Sequence, residues 1–262
     1  FEVCFAQSNS IPVRELVLTC VSQIVQARAA NIKSGWKSVF SVLSLAADDK
    51  NESIMNFGFQ IVDSIVAKYF GVIDDVFIDA VNGISAYTRS QLSSSVALAA
   101  IDILSVVCAK SLADGQAFAA AKPVSRLDAT SDLDLPTEKV DRCLHGKMTP
   151  NASLISQYCF TADVEAHIGA WFPILTGLAS TIQDERPAVR MAASNGLFKL
   201  LGENGGLFAP SLWVLIFRGV LSPVFDDVCH LSSASDRNES ATVSDWAAST
   251  GATALRAMTD VV

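Results

Sequence analysis

Residues Ile54–Val66 read I-M-N-F-G-F-Q-I-V-D-S-I-V and place apolar or small side chains at offsets 0, +3, +4, +7, +8, +11 and +12. These offsets have the α-helical period, so they line one face of a helix with an apolar stripe. The same offsets recur in segments that begin at Val13, Val96 and Val189. The first two intervals, 41 and 42 positions, lie within the period of about 40–47 residues of some helical repeat arrays. The sequence therefore predicts a helical repeat protein.

A second set of stripes alternates with the first; its members begin at Trp36, Ile73, Trp171 and Trp213, with a weaker one at Ala247. The alternation predicts three or four antiparallel helical hairpins joined by short loops. Pro12 and Pro187 stand where helices should begin, since a missing N–H costs nothing in the first turn. In both places a valine and then an arginine follow the proline, a feature of HEAT repeats. We therefore predict an all-α fold, a HEAT-like α-solenoid of antiparallel helical hairpins with one long inserted loop.

The repeat period is interrupted between Val96 and Val189, which are 93 positions apart. The excess falls in a stretch whose middle, residues 125–142, is rich in Asp, Ser, Thr and Pro and has no sustained stripe. We predict HEAT-like repeats over residues 1–110, an inserted and largely flexible segment over 111–166, and HEAT-like repeats over 167–262. Residues 151–166 could add one short helix, and the two repeat regions should form one continuous solenoid.

Composition and charge exclude two function classes. The net charge of −8 argues against a nucleic-acid binder, which needs a basic surface to displace counterions. The mean hydropathy is +0.36 and the stretch Ala166–Gln183 lacks charged residues, which just reaches the length of about 18 residues that a membrane span needs. Pro173, Thr176, Ser180 and Gln183 should share one face of that helix, so we expect an amphipathic helix that packs against protein.

Six cysteines are scattered along the chain, and Cys20 and Cys108 occupy stripe positions, where a reduced thiol behaves as a small hydrophobe. The chain begins with Phe1 in mid-pattern and shows no secretory signal. We expect a reduced, cytoplasmic environment and a segment of a longer polypeptide.

Candidate chemical sites are weak. Cys143, His145, Cys159 and His167 could supply a zinc set, but their spacing lacks the two-residue knuckle of structural zinc sites, so we interpret them as unrelated residues of the insertion. The glycine-rich run Gly202–Gly206 follows a helix rather than a strand, which favours a helix end and turn over a phosphate loop. We predict no catalytic residue, no metal and no cofactor.

Basic side chains are most concentrated around the predicted loop between the first two stripes. Arg28, Lys33, Trp36 and Lys37 form the candidate interaction patch. A solvated turn would explain the cations, and a docking site for an acidic partner or a membrane surface is the alternative. Because Trp36 opens a stripe, a position between adjacent hairpins is favoured over a peptide-binding role.

The motif N-I-K-S-G-W-K at Asn31–Lys37 carries a family resemblance. With its surroundings, Ile11–Phe40, it resembles the downstream region of the large ARF guanine-nucleotide exchange factors, the brefeldin A-inhibited exchange proteins and their Sec-seven relatives of the trans-Golgi. Similar stretches follow in the same order at Ala170–Leu175, Leu212–Asp226 and Ser244–Val261. The order of residues in N-I-K-S-G-W-K is not dictated by helical packing alone, which makes this motif specific.

The resemblance implies an indirect function. In that family, exchange on ARF is performed by a separate upstream helical domain with a glutamate finger, and no match to that domain occurs here. The resemblance implies a non-catalytic, regulatory segment at Golgi and trans-Golgi membranes, in contact with small GTPases (ARF or related) and with other domains of the same chain. It also implies peripheral membrane association and a possible homodimer of the parent protein. The alternative is a generic HEAT-repeat scaffold or transport-receptor fragment unrelated to ARF exchange.

Overall fold

Helices form all the regular structure in the part of the chain that the computed structural model describes: residues 1–69, 73, 76–109, 162–208 and 210–224, without the side chains of 162–168, 210 and 211. The α-helices are α1 Glu2–Gln7, α2 Ile11–Arg28, α3 Gly35–Ala47, α4 Glu52–Tyr69, α5 Phe77–Thr88, α6 Ser94–Asp102, α7 Ala162–Thr181, α8 Pro187–Asn204 and α9 Pro210–Ile216. Short 3-10 turns follow α2 and α8, and π-helical turns follow α6 and α9. The prediction of an all-α chain is confirmed for these residues.

Two helices start at the predicted prolines, and a third starts at a side-chain cap. Pro12 and Pro187 lie in the first turn of α2 and of α8. The Asn51 side-chain oxygen accepts hydrogen bonds from the backbone N–H groups of Ser53 and Ile54 at 3.0 and 3.2 Å, which satisfies two of the free donors at the start of α4.

The helices pack in two rows. In what we call the second row, α1 contacts α3, α3 contacts α5, α5 contacts α7, and α7 contacts α9. In the first row, α2 contacts α4 and α6 contacts α8. The rows meet through the pairs α3–α4, α5–α6 and α7–α8. Contacts between alternate helices of the described residues are those that stacked hairpins make, although the HEAT-like solenoid itself stays a prediction.

The apolar stripes form one hydrophobic core that reaches from Phe5 to Val224. Trp36 on α3 and Trp171 on α7 are fully buried, and Trp36 stacks on Phe40 with ring centroids 5.9 Å apart. Tyr87 crosses between α5 and α3, and its hydroxyl donates to the Leu43 carbonyl at 2.8 Å. Burial, with a smaller contribution from Asp48, raises the pKa of Tyr87 above its usual range, so this hydroxyl remains a donor.

Helix α7 departs from the prediction on its polar face. It begins at Ala162, within the stretch 151–166 that could add a short helix, while the rest of the predicted insertion and the stripe at Ala247 fall outside the described residues. Pro173, assigned to the polar face, is buried. Thr176 and Ser180 are half-buried, so the polar face is narrower than expected, and their hydroxyls are satisfied by carbonyls of their own helix.

The third stripe also changes its helical period. The chain passes from α6 into a π-helical turn over Ile103–Cys108, where Ile103, Leu104 and Cys108 are still buried. The hydroxyl of Ser105 donates to the Ile101 carbonyl at 2.8 Å, which competes with the regular backbone bond at this step. Burial raises the pKa of the Cys108 thiol to about 12, so Cys108 acts as a core residue.

A partly buried polar cluster joins the loop after α5 to the loop after α7. The Asp184 carboxylate accepts from the Arg186 guanidinium through two bonds of 2.8 Å and from the Gln91 amide at 3.2 Å. Close by, the Thr88 and Thr181 hydroxyls bond to each other at 2.8 Å. Desolvation raises the pKa of Asp184, but the hydrogen bonds and charge of Arg186, with a bond from Gln91, outweigh it and lower that pKa.

We expect Asp184→Asn to lower the free energy of unfolding at pH 7 by about 1.5–3 kcal/mol, the range for hydrogen bonds to a charged group. Because the folded-state pKa is lowered, the stabilisation by Asp184 is present above the unfolded pKa of about 3.9 and is lost as the pH falls through the folded value. Urea unfolding followed by circular dichroism at several pH values should show the two chains converging below about pH 4. A constant difference down to the acid transition would contradict this assignment.

We expect Gly58→Ala in α4 to destabilise the chain by about 1–3 kcal/mol, as overpacking does. A Cβ at this position would lie 2.8 Å from the Cβ of Ala46 and would overlap the Tyr87 hydroxyl. Gly169→Ala in α7 is the matched control, because a Cβ there meets nothing within 4 Å. It should stabilise the chain by about 0.5–1 kcal/mol through backbone entropy. Thermal unfolding of both variants checks this prediction. Equal changes in the unfolding temperature, relative to the unsubstituted chain, would show that the close approach at Gly58 is unimportant.

Candidate interaction surface

The candidate patch lies where the chain passes from α2 to α3. After Arg28 the backbone forms a 3-10 turn over Ala29–Asn31, and the Gly35 N–H donates to the Ile32 carbonyl at 2.9 Å. The Trp36 N–H donates to the Lys33 carbonyl at 3.1 Å, which begins α3. These local bonds fix a tight turn that carries the motif Asn31–Lys37.

The structure separates the four predicted patch residues into two groups. Arg28, Lys33 and Lys37 are exposed, whereas Trp36 has 1% of its surface exposed and lies in the core. The part of the patch that a partner could reach therefore consists of three cations, which we call the basic turn. Trp36 packs in the core beneath the turn and so holds the turn in place, as its position at the start of a stripe indicated.

Lys33 adopts a left-handed backbone conformation with φ 48°. For a residue with a Cβ this conformation costs about 1–2 kcal/mol relative to the right-handed region. Within the described residues it is the only non-glycine position with a positive φ. Strained positions of this kind occur often at binding sites, where the surrounding structure holds them.

The electrostatics of the basic turn suit a negatively charged partner. Among the described residues, no carboxylate forms an ion pair with Arg28, Lys33 or Lys37, whereas Arg14 pairs with Asp49 at 3.2 Å on another loop. Three solvated cations can contact carboxylates or phosphates, with an attraction that salt screens beyond about 8–10 Å. The basic turn supplies charge but no nucleophile or acid–base pair, so its chemistry is that of docking.

The other candidate sites have different outcomes. The glycine-rich run is a helix end, as predicted: α8 stops at Asn204, a 3-10 turn follows, and the Trp213 indole N–H donates to the Gly205 carbonyl at 3.1 Å. Of the zinc set, Cys143, His145, Cys159 and the His167 side chain lie outside the described residues. Within those residues, no group of three or more His, Cys, Asp or Glu side chains is placed to hold a metal ion.

None of the described helices combines the length and the apolarity that crossing a bilayer requires.

One exposed surface was missed in the sequence. The stripe of α2 was expected to be buried along its whole width, but Val13, Leu16 and Ile24 are 38%, 62% and 40% exposed. Only the half of the stripe that contains Val17 and Val21 is buried. The stripes of α2 and α4 have the same spacing of apolar or small residues. They differ in whether a neighbouring helix covers them, and the sequence of α2 does not show this difference.

Comparisons with known proteins give consistent matches. The family model described as Mon2/Sec7/BIG1-like, HDS, matches residues 1–64, which include the basic turn. Brefeldin A-inhibited guanine nucleotide-exchange protein 2 of Arabidopsis thaliana is 34% identical over 250 residues, which cover 92% of this chain and 13% of that protein. Brefeldin A-inhibited guanine nucleotide-exchange protein 1 of Rattus norvegicus is 29% identical over 265 residues, 100% of this chain and 12% of that protein. No solved structure matches.

We expect Lys33→Gly to raise the free energy of unfolding by about 0.5–1 kcal/mol, because glycine adopts a positive φ at little cost. Lys33→Ala is the matched control, since it removes the same charge but keeps the strained backbone. Chemical unfolding of the two variants separates the contributions, and equal stabilities would show that the left-handed conformation stores no strain.

Proposed function

We propose that this chain is a non-catalytic regulatory segment of a brefeldin A-inhibited guanine nucleotide-exchange protein. The similarity to members of that family supports the proposal. The segment would lie downstream of the exchange domain and act in Golgi vesicle-mediated transport, at the cytoplasmic surface of Golgi membranes. Its partners would be small GTPases of the ARF type and other domains of the same polypeptide.

The observation that carries this proposal is the coincidence of a matched family segment with an exposed basic turn. The matching model covers residues 1–64 and is described as HDS, which is distinct from the catalytic Sec7 domain. Within that segment Arg28, Lys33 and Lys37 are exposed beside the buried Trp36. A motif whose charged members face solvent on a rigid turn supports a role in recognition.

The helix pairing supports a regulatory rather than a chemical role. Two rows of stacked helices, in a HEAT-like arrangement as we propose, present an extended binding surface. Because each hairpin packs on its neighbours, a partner bound at one hairpin can affect the next. The chain spans 13% of the Arabidopsis relative's length. The exchange activity in the relatives' names is therefore attributed to the rest of the polypeptide, which this segment would position and regulate.

A generic HEAT-repeat scaffold is the competing function. It would use the helical rows in the same way, but it would not need the charges of the basic turn. Removing these charges without disturbing the core therefore separates the two functions.

We expect the triple variant Arg28→Glu, Lys33→Glu, Lys37→Glu to lose the regulatory effect of the chain. Purified chain would be added to an isolated exchange domain with ARF on liposomes of Golgi-like composition, and nucleotide release would be followed by fluorescence. The unsubstituted chain should change the release rate or the recruitment of ARF to the liposomes. The variant should reduce that effect at least about tenfold, which corresponds to 1.4 kcal/mol of binding.

A second triple variant serves as the matched control. Lys50→Glu, Arg89→Glu and Lys199→Glu change three exposed cations in other parts of the surface, so the change in net charge is the same. This variant should behave as the unsubstituted chain does. Equal losses in both variants would indicate non-specific charge effects and favour the generic scaffold, and no effect of the unsubstituted chain would refute the regulatory proposal.

A further inference from the structure

Helix α2 exposes a continuous apolar surface on the side away from its buried half. We call Val13, Leu16, Cys20 and Ile24 the outer face of α2. Their offsets along the stripe are 0, +3, +7 and +11, which place them in one sector of the helix. Val13, Leu16 and Ile24 are exposed and Cys20 is half-buried. Four neighbouring apolar side chains at helical spacing form a surface that water does not favour.

The corresponding positions on α8 show what this sector contacts. Val189, Ala192, Gly196 and Leu200 have the same offsets and are buried or half-buried. A Cβ at Gly196 would lie 3.1 Å from the Cβ of Ser105, which belongs to the π-helical turn that continues α6. On α8, this sector therefore faces the preceding helix of the first row.

The corresponding positions on α4 agree. Ile54, Ile61 and Ile65 are buried, Phe57 is half-buried, and α4 contacts α2. On α2, the opposite half of the stripe, at offsets +4, +8 and +12, is buried and consists of Val17, Val21 and Val25. On α4 and α8 the sector at offsets 0, +3, +7 and +11 is therefore largely covered, whereas on α2 the same sector is exposed.

We propose that the outer face of α2 is the docking site for one more amphipathic helix of the same polypeptide, from outside these 262 residues. That helix packs on α2 as α2 packs on α4, and it presents an apolar face to Val13, Leu16 and Ile24. The inference rests on the proposed function to this extent, that the chain is one segment of a longer exchange protein. It is supported by continuity with the α2–α4 interface and by the 13% of the relative's length that this chain spans.

The size of the outer face favours this occupant over a second copy of the chain. Four side chains on one helix are far fewer than the roughly 20–30 residues a side of a standard stable interface between proteins. A tethered helix needs less surface, because the linking chain holds it at a high effective concentration.

Thiol labelling tests the proposal. Leu16→Cys is prepared in the 262-residue chain and in the full-length polypeptide, and maleimide labelling of this site is followed over time by peptide mass spectrometry. The site should label at least about tenfold more slowly in the full-length protein, a protection equivalent to 1.4 kcal/mol of packing. Ile78→Cys on α5 is the matched control, because Ile78 is an exposed apolar residue outside the outer face, and its rate should be the same in both proteins.

Each other outcome overturns the proposal. Equal labelling of Leu16→Cys in the two proteins would mean that no helix from outside the 262 residues covers the face. Protection that rises with protein concentration in the 262-residue chain would assign the face to a second copy. Equal protection of both cysteines in the full-length protein would indicate general occlusion. Labelling involves no nucleotide exchange, so the result is independent of whether the segment regulates that activity.

Discussion

Burial of an apolar stripe that is wider than one neighbouring helix can cover is the constraint on which this structure depends. A stripe at offsets 0, +3 and +4 spans enough of the helix surface to need partners on two sides. On α4 both halves are covered, with Ile54 and Val62 buried. Each helix that covers part of a neighbour's stripe also has an apolar stripe of its own to bury. One packed helix therefore requires a further helix. In the described residues, α3 therefore contacts both α1 and α5, α2 contacts α4, and α6 contacts α8.

The features that the sequence predicted are those that depend on local period and local chemistry. The stripes located the helices and the prolines marked the first turns of α2 and α8, because these signals depend only on residues close together in the chain. The left-handed Lys33 and the polar cluster around Asp184 were not predicted, since the first depends on how a turn closes and the second joins residues 93 positions apart. The patch was predicted as four residues, and tertiary packing removed Trp36 from the surface.

For function, too, the sequence and the structure contribute different information. The sequence motif Asn31–Lys37 suggested a family, and the matched segment 1–64 supports that suggestion. The structure adds which residues of the motif a partner can reach. Gly35 and Trp36 serve the turn: a Cβ at Gly35 would lie 3.1 Å from Ile32, and Trp36 fills the core. Lys33 and Lys37 face solvent, so the motif combines residues that shape the turn with residues available for recognition.

Helix α2 links the two surfaces on which the proposals rest. Its outer face includes Leu16, and the helix ends at Arg28, the first cation of the basic turn. Twelve residues of α-helix separate these positions by about 18 Å, with little bending expected over that distance. A helix docked on the outer face would therefore restrain the element from which the basic turn projects. Any such coupling must be reciprocal, since a partner that binds the turn more tightly in the docked state also stabilises that state. In this way contacts within the polypeptide and contacts with an acidic partner would regulate each other through one helix.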